Sequence, residues 1–410
     1  MTRNSLESWD ALSMKSNYFS LYLLMFIMFI TMSGIGIIIP IMPEYLGTFG
    51  VAGQVLGFLI ATFSLAQFVF APIAGDLSDK HGRKNLIIVG LIIFGLSQLA
   101  FGLSTELWML FAARFFSGLG AAFLVPPMMA FVADITTFEE RGRGMGLLGA
   151  SMSLGFMIGP AIGGFLSKVS LEFPFYFATG AALLAAVISF FALPNPPPKV
   201  TSEPKIKIKR ENLFQQLKRS AATPYFVMFI VMFVFSFGLA NFQSTISLYV
   251  DQKYGYTPSQ IAAIITVGGF FGVIAQTFMI NPLFKRYGEM RVILVNLVIA
   301  AFGMIGILFV DSFSMILVVS MIFFTATSLL RPAVNTLVSK LAGEEQGFAA
   351  GMITAYMSLG NMVGPALAGI LFDINIIYPY IIGTFILLIC FVIAFFWSKR
   401  SSELLGRLDS

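Results

Sequence analysis

The chain has 410 residues and a formal net charge of +5, and its composition excludes an ordinary soluble protein. Hydrophobic residues make up 58% and charged residues only 11%, which is too few charges to cover a water-exposed globular surface. A single cysteine and a single histidine leave little material for disulfides, metal sites or histidine-based catalysis. We therefore expect no metal, no cofactor and no enzymatic activity. The basic residues lie in short links between apolar runs, which argues against nucleic-acid binding.

Apolar runs of about 20 residues recur along the chain, and each is long enough to cross a hydrocarbon core of roughly 30 Å as a helix. No cleavage pattern follows the first run, so we expect no removable signal peptide. The pattern predicts an all-α membrane protein with twelve transmembrane helices, spans one to twelve, over residues 18–41, 53–74, 85–104, 107–133, 144–167, 173–193, 223–250, 258–284, 290–310, 313–338, 347–372 and 376–397.

The distribution of lysine and arginine predicts the orientation. Arg114 and Arg331 lie inside spans, Lys168 and Lys253 lie on links assigned to the outside, and all the others fall on the opposite face. Both termini, 1–17 and 398–410, are therefore expected in the cytoplasm of a cell that carries the protein in its plasma membrane.

The segment 194–222 is rich in proline at its start and basic afterwards. We interpret it as a cytoplasmic linker that lies on anionic lipid, with a regulatory docking site as the alternative.

The two halves of the chain repeat. Residues 150–166, ASMSLGFMIGPAIGGFL, match residues 355–371, AYMSLGNMVGPALAGIL, at eleven of seventeen positions. The repeat predicts two six-helix bundles, 18–193 and 223–397, related by a pseudo-two-fold axis along the membrane normal. A cavity between such bundles would carry a solute by rocking.

Three motifs resemble those of the major facilitator superfamily: GDLSDKHGRK from Gly75, RFFSGLGA from Arg114 and GFMIGPAIGG from Gly155. Other stretches, FSFGLANFQSTISLYVDQKYGYTP and LLRPAVNTL among them, are similar to the multidrug and fluoroquinolone efflux antiporters of Gram-positive bacteria. The resemblance covers essentially the whole chain. It implies secondary active efflux of amphipathic drugs or dyes, driven by proton antiport through alternating access.

The first motif predicts a gating cluster. Asp79 and Arg83 are four residues apart and can pair on one helical face, while Gly75 permits close approach. The resemblance implies that Asp134 joins them and that the cluster holds an inner gate. The alternative is that the basic residues only anchor the topology. The second half has Lys285 at the position of Asp79, so we expect the complete cluster in the first half only.

The third motif places small residues along one face of span five. Gly155 and Gly159 are four residues apart, and Pro160 is expected to bend the helix. We interpret this face as a seal between the two bundles that resists leak, with ordinary helix packing as the alternative.

Proton coupling has fewer candidates than the resemblance implies. Relatives place acids in spans seven and ten where this chain has Gln243 and Ser328, and neither can carry a proton. Arg114 resembles an arginine that tunes proton exchange in relatives. We expect Glu44 to be the titrating group because burial beside prolines would favour its neutral form, with an exposed loop position as the alternative. Asp134 is the second candidate.

The substrate site is expected to be large, apolar and aromatic, with a few polar groups. Amides inside spans favour a polar partner or water over lipid. The predicted substrate-binding residues are Phe63, Gln67, Phe156, Gln243, Arg331, Ser358 and Asn361.

The leading interpretation is a monomeric exporter whose partners are a small amphipathic molecule, protons and the lipid bilayer. One alternative is a narrower exporter of a sugar, a lipid precursor or a metabolite. The other is a membrane sensor without transport, which would need a soluble domain or catalytic cluster that the sequence lacks.

Overall fold

The structure is a computed structural model that describes residues 3–51, 53–194, 213–343 and 345–400. These residues form helices joined by short turns and contain no β-strand. The α-helices comprise Arg3–Gly36, Met42–Gly47, Gly53–His81, Arg83–Gly102, Leu107–Ala122, Val125–Ile135, Phe138–Leu166, Phe173–Ala192, Leu213–Ser220, Phe226–Tyr254, Pro258–Ile274, Ile280–Tyr287, Glu289–Gly306, Phe313–Ala342, Gln346–Ile374 and Tyr378–Arg400.

Within the described residues, twelve helical segments are long and apolar enough to cross a membrane. This confirms the predicted all-α, multi-pass membrane fold. The spans are Tyr18–Gly36, Gly53–His81, Arg83–Gly102, Leu107–Ile135, Arg143–Leu166, Phe173–Ala192, Phe226–Tyr254, Pro258–Tyr287, Glu289–Phe309, Phe313–Ala342, Phe348–Ile374 and Tyr378–Arg400.

Span one is shorter than predicted. Its helix ends at Gly36 instead of residue 41, and the chain continues through a turn into the short helix Met42–Gly47. Pro40 and Pro43 explain the break, because neither has an N–H group to continue the helical hydrogen bonds.

The spans group into two compact units. The first contains Met1–Ile41 and Thr62–Pro204, and the second contains Met42–Ala61 and Lys205–Ser410. The predicted boundaries differ in one stretch, because Met42–Ala61 groups with the second half of the chain. The first seventeen side chains, most of the predicted linker (195–212) and the tail beyond residue 400 lie outside what the structure describes.

Each unit packs its helices in the same pattern. In the first, span one lies against span five, and span three lies against spans four and six. In the second, span seven lies against span eleven, and span nine lies against spans ten and twelve. The internal repeat in the sequence is therefore a repeat of helix contacts.

Close backbone contact explains why the start of span two belongs to the second unit. The backbone N–H of Gln54 donates to Asp373 Oδ2 at 2.9 Å, so a carboxylate of span eleven caps the start of the span-two helix. A Cβ atom on Gly57 would collide with the backbone carbonyl of Pro365 in span eleven. Only glycine allows the two helices to meet this closely.

Span eight contains a wider turn. Residues Ala275–Met279 form a π-helix between the α-helices Pro258–Ile274 and Ile280–Tyr287. Span eight has 30 residues where its repeat equivalent, span two, has 29. A π-turn absorbs one additional residue in a helix without breaking it.

Candidate functional site

A cluster of three charged side chains lies at the junction of spans two, three and four. Arg83 Nη1 is 2.5 Å from Asp79 Oδ1, and Arg83 Nε is 3.1 Å from Asp134 Oδ2. We call Asp79, Arg83 and Asp134 the first-half ion cluster. The structure confirms that Asp134 joins the other two residues. Their gating role stays a prediction.

The cluster is held by a sharp turn. Gly82 has a φ of 88°, which only glycine adopts readily, and it separates the end of span two from the start of span three. Arg83 is then the first residue of span three. Its side chain is 17% exposed, whereas that of Asp134 is 25% and that of Asp79 is 43% exposed. The arginine is therefore the least exposed of the three side chains. The Gly75 carbonyl accepts a hydrogen bond from Ser78 Oγ at 2.8 Å.

The second half has an ion pair between the equivalent helices, which its sequence motif does not predict. The pair has two members where the first-half ion cluster has three, and no acid stands at the position of Asp79. Lys340 Nζ, near the end of span ten, is 2.7 Å from Glu289 Oε1 at the start of span nine. We call Glu289 and Lys340 the second-half ion pair. It joins the same two repeat helices as Arg83 and Asp134 with the charges exchanged. The sequence motif did not predict this pair, because the position equivalent to Asp79 holds Lys285 and gives no sign of a contact between Glu289 and Lys340.

The glycine face of span five contacts span one of its own unit. A Cβ atom on Gly155 would meet the backbone of Phe29, and one on Gly159 would meet the backbone of Ser33. Pro160 lies against Gly36 in the same contact. Gly155, Gly159 and Pro160 therefore pack within their own unit, as in the alternative of ordinary helix packing. Their role in resisting leak stays a prediction.

The second half repeats this glycine contact. Gly360 and Gly364 of span eleven lie against the backbone of Phe233 and Phe237 in span seven. These faces bring two helices of one unit together.

Arg114 is a buried cation. Its residue surface is only 6% exposed, and its guanidinium carbon lies 4.8 Å from the centre of the Phe101 ring. Among the described residues, its Nε has no hydrogen-bond partner. The ring face supplies part of the compensation that a buried cation needs. The proton-tuning role stays a prediction.

The positions expected to govern proton coupling differ in their surroundings. Glu44 lies on the short helix Met42–Gly47 and is exposed, so the burial on which its prediction depended is absent. Gln243 is half-buried in span seven. Ser328 Oγ lies within hydrogen-bond distance of the Gly272 carbonyl, at 2.9 Å, and of the Thr325 carbonyl, at 2.8 Å. The serine therefore links span ten to span eight.

The predicted substrate residues divide between the two units. Phe63, Gln67 and Phe156 belong to the first unit and are half-buried, and Phe156 packs against that unit's apolar core. The other four belong to the second unit. Arg331 is exposed there, and three residues are half-buried: Gln243, Ser358 and Asn361. Their binding role stays a prediction.

One further ion pair was not anticipated. Arg219 of the helix Leu213–Ser220 places Nη2 at 2.5 Å from Glu345 Oε1, and its guanidinium lies 4.4 Å from the centre of the Phe348 ring. The basic character of the linker indicated charge but not its partner, because Glu345 is more than a hundred residues further along the chain.

Twelve apolar helices, arranged as two units with the same internal packing, define a membrane protein with the architecture of a secondary transporter. The chain belongs to the Major Facilitator Superfamily, whose family model matches residues 24–239 and 228–408. It is therefore a membrane transporter and not an enzyme, as its composition led us to expect.

Several characterised relatives match along nearly the whole chain. Multidrug resistance protein 2 of Bacillus subtilis is 40% identical over 92% of this chain and 94% of its own length. Multidrug resistance protein 1 of the same organism is 38% identical over 94% and 97%. The quinolone resistance protein NorA of Staphylococcus aureus is 34% identical over 89% and 92%.

Solved structures share the fold at low sequence identity. A bacterial homologue of the human lysosomal transporter Spinster has a TM-score of 0.73 and 17% identity, covering 92% of this chain and 96% of its own. The nucleoside transporter NupG has a TM-score of 0.75 and 13% identity, covering 93% and 99%.

Proposed function

We propose that this protein exports small amphipathic drugs or dyes across the plasma membrane in exchange for protons. The observation that carries the proposal is the 40% identity to a multidrug resistance protein over 92% of the chain. Both termini lie in the cytoplasm in this proposal, because most lysines and arginines fall on the face that carries them. Export through a monomer, by alternating access, is part of the same proposal.

Proton coupling is assigned first to Asp134. Its carboxylate shares Arg83 with Asp79, so a proton on Asp134 would remove one of the two charges that hold the arginine. Release of Arg83 would then favour one facing of the transporter over the other. Glu44 is the second candidate, because it is exposed and belongs to no ion pair among the described residues.

The substrate class follows from the balance of charges inside the spans. Arg114 and Arg331 are cations, while Gln243 and Ser328 carry no charge. Two cations and no acid at these positions favour neutral, zwitterionic or anionic amphipathic substrates over strongly cationic ones. The same charge balance is the specific reason to keep a second candidate function, export of one metabolite or lipid precursor.

The test uses purified protein in vesicles with an imposed pH gradient. Dyes that are anionic, neutral or cationic but similar in size are compared, with and without a protonophore. We expect gradient-dependent export of the neutral and anionic dyes. Export that ignores the gradient would overturn proton coupling, and transport of no dye would favour the narrow exporter.

The Asp134→Asn variant tests whether proton coupling depends on Asp134 itself or is lost when any carboxylate is removed. Asp311→Asn is the matched control, because the Asp311 side chain is 81% exposed and lies between spans nine and ten. We expect Asp134→Asn to reduce substrate-driven proton flux roughly tenfold and Asp311→Asn to leave it intact. Normal flux in Asp134→Asn together with loss in Glu44→Gln would reassign the role to Glu44.

A further inference from the structure

A group of cations lies where the start of span seven meets the end of span twelve. Trp397 Nε1 donates to the Pro224 carbonyl at 3.1 Å, which fixes the end of span twelve against the residue just before span seven. Lys399 and Arg400 follow Trp397 as the last two described residues of that helix, and both are exposed.

The helix Leu213–Ser220 adds a third cation to this group. Two backbone hydrogen bonds, from Ala222 to Arg219 and from Thr223 to Ser220, turn the chain sharply between this helix and Pro224. Lys218 at the end of the helix is exposed. It precedes Pro224 by six residues across this turn, and Pro224 is the residue that Trp397 contacts.

The helix cannot swing away without breaking specific contacts. Arg219 is paired with Glu345, and Ser220 Oγ lies 3.0 Å from the hydroxyl of Tyr356 in span eleven. Glu345 thereby compensates the charge of Arg219. Among the described residues, no carboxylate is paired with Lys218, Lys399 or Arg400.

The surroundings have the character of a membrane surface. Residues 213–225 and 388–400 contain no aspartate or glutamate. Phe396 is 65% exposed, and Lys399 Nζ lies 4.7 Å from the centre of the Phe395 ring. Tryptophan and phenylalanine with lysine and arginine at a helix end are typical of the level at which lipid headgroups lie.

We propose that Lys218, Lys399, Arg400 and Trp397 form a binding site for the headgroup of an anionic phospholipid. The phosphate would accept hydrogen bonds from the lysine and arginine side chains, and the acyl chains would lie along the exposed phenylalanines of span twelve. A retained lipid would bridge the end of span twelve and the helix before span seven. The site shares no residue with the first-half ion cluster or with the predicted substrate residues.

Tryptophan fluorescence tests the site directly. Trp397 is one of three tryptophans, and replacing the other two by Phe leaves it as the single reporter. The protein is placed in phosphatidylcholine vesicles that contain a small fraction of brominated phosphatidylglycerol or, for comparison, brominated phosphatidylcholine. We expect the anionic quencher to act at a lower mole fraction, by about fivefold for each cation that contacts it.

Matched variants distinguish a specific lipid site from nonspecific attraction between anionic lipid and surface cations. Lys218→Gln, Lys399→Gln and Arg400→Gln together should remove the preference for phosphatidylglycerol. Lys285→Gln with Arg286→Gln, which removes cations at the end of span eight, should leave it unchanged. The charge-preserving pair Lys218→Arg and Lys399→Arg should keep it, which controls for misfolding. Equal quenching by both lipids, or equal loss in the span-eight control, would overturn the proposal.

Discussion

The two halves of the chain place an ion pair between the same two repeat helices and differ in how the pair fits the helices that carry it. In the second half, Glu289 lies in the first turn of its helix and Lys340 in the last turn of its own. Both charges are favourable there, because the N-terminus of a helix is partly positive and its C-terminus is partly negative. In the first half, Arg83 begins a helix and Asp134 lies in a last turn, so both charges oppose the helix dipoles.

This difference separates a static contact from one that can be released. The second-half pair gains from the pairing and from both dipoles, and the Glu289 side chain is only 9% exposed. The first-half cluster is held by its ion pairs and by a hydrogen bond from Arg83 Nη1 to Ser78 Oγ, and both dipoles oppose it. Loss of one charge therefore leaves an arrangement that the helices themselves disfavour. We therefore expect the second-half pair to govern stability and the first-half cluster to govern transport.

The largest expected effect is on stability, from Lys340→Met. The substitution leaves the buried Glu289 carboxylate without its partner, which costs about 3–5 kcal/mol. Thermal unfolding in detergent measures it, and transport per folded molecule should change little. Glu289→Gln is the control and should cost less, because the Lys340 side chain is 38% exposed and can be hydrated. Equal losses in the two variants would contradict the burial argument.

A smaller effect, on transport, is expected from Asp134→Asn. The variant keeps the shape of the side chain but removes the negative charge that Asp134 presents to Arg83. If this lowers the free-energy difference between the two facing states by about 1.4 kcal/mol, turnover slows roughly tenfold. Substrate affinity should change little, which a Kd measurement checks. If the melting temperature falls as far as in Lys340→Met, the cluster is a structural element and the comparison fails.

Exchanging the charges of the second-half pair measures the dipole contribution alone. The double variant Glu289→Lys with Lys340→Glu keeps an ion pair but sets both charges against their helices. The expected loss is about 0.3–1 kcal/mol at each helix end, less than that of the broken pair. Unfolding of the double variant beside Lys340→Met tests this order. A double variant as stable as the natural protein would show that the dipoles do not distinguish the halves.

The smallest effect is expected from Asp79→Asn. Its side chain is 43% exposed, against 25% for Asp134, so water screens its interaction with Arg83 more strongly. Turnover should fall, but by less than in Asp134→Asn, in the same vesicle assay. A larger fall in Asp79→Asn would mean that Asp79 is the principal partner of Arg83.

The sequence predicted the spans well because a long apolar run is a local property. It also indicated that Asp134 joins Asp79 and Arg83, which the ion pairs confirm. Contacts between helices that are distant in the sequence were harder to predict from it. Gly155 and Gly159 predicted a bare helix face but not that span one covers it, because several helices could pack there.

Two other misses have equally specific causes. Glu44 was expected to be buried because prolines precede it, yet the same prolines end span one early and place Glu44 on a short exposed helix. The pairing of Glu289 with Lys340 depends on the approach of two helix ends that are about fifty residues apart in the sequence. None of the three sequence motifs contains either residue.

The π-turn at Ala275–Met279 marks a difference in register between the two repeats. Gly53 and Pro258 begin equivalent spans 205 positions apart, whereas His81 and Tyr287 end them 206 positions apart. The additional residue lies between those points, where the π-turn absorbs it. An α-helix advances about 100° per residue, so a plain insertion would have rotated the rest of span eight away from its neighbours. The widened turn thus lets two repeats of unequal length keep the same pattern of helix contacts.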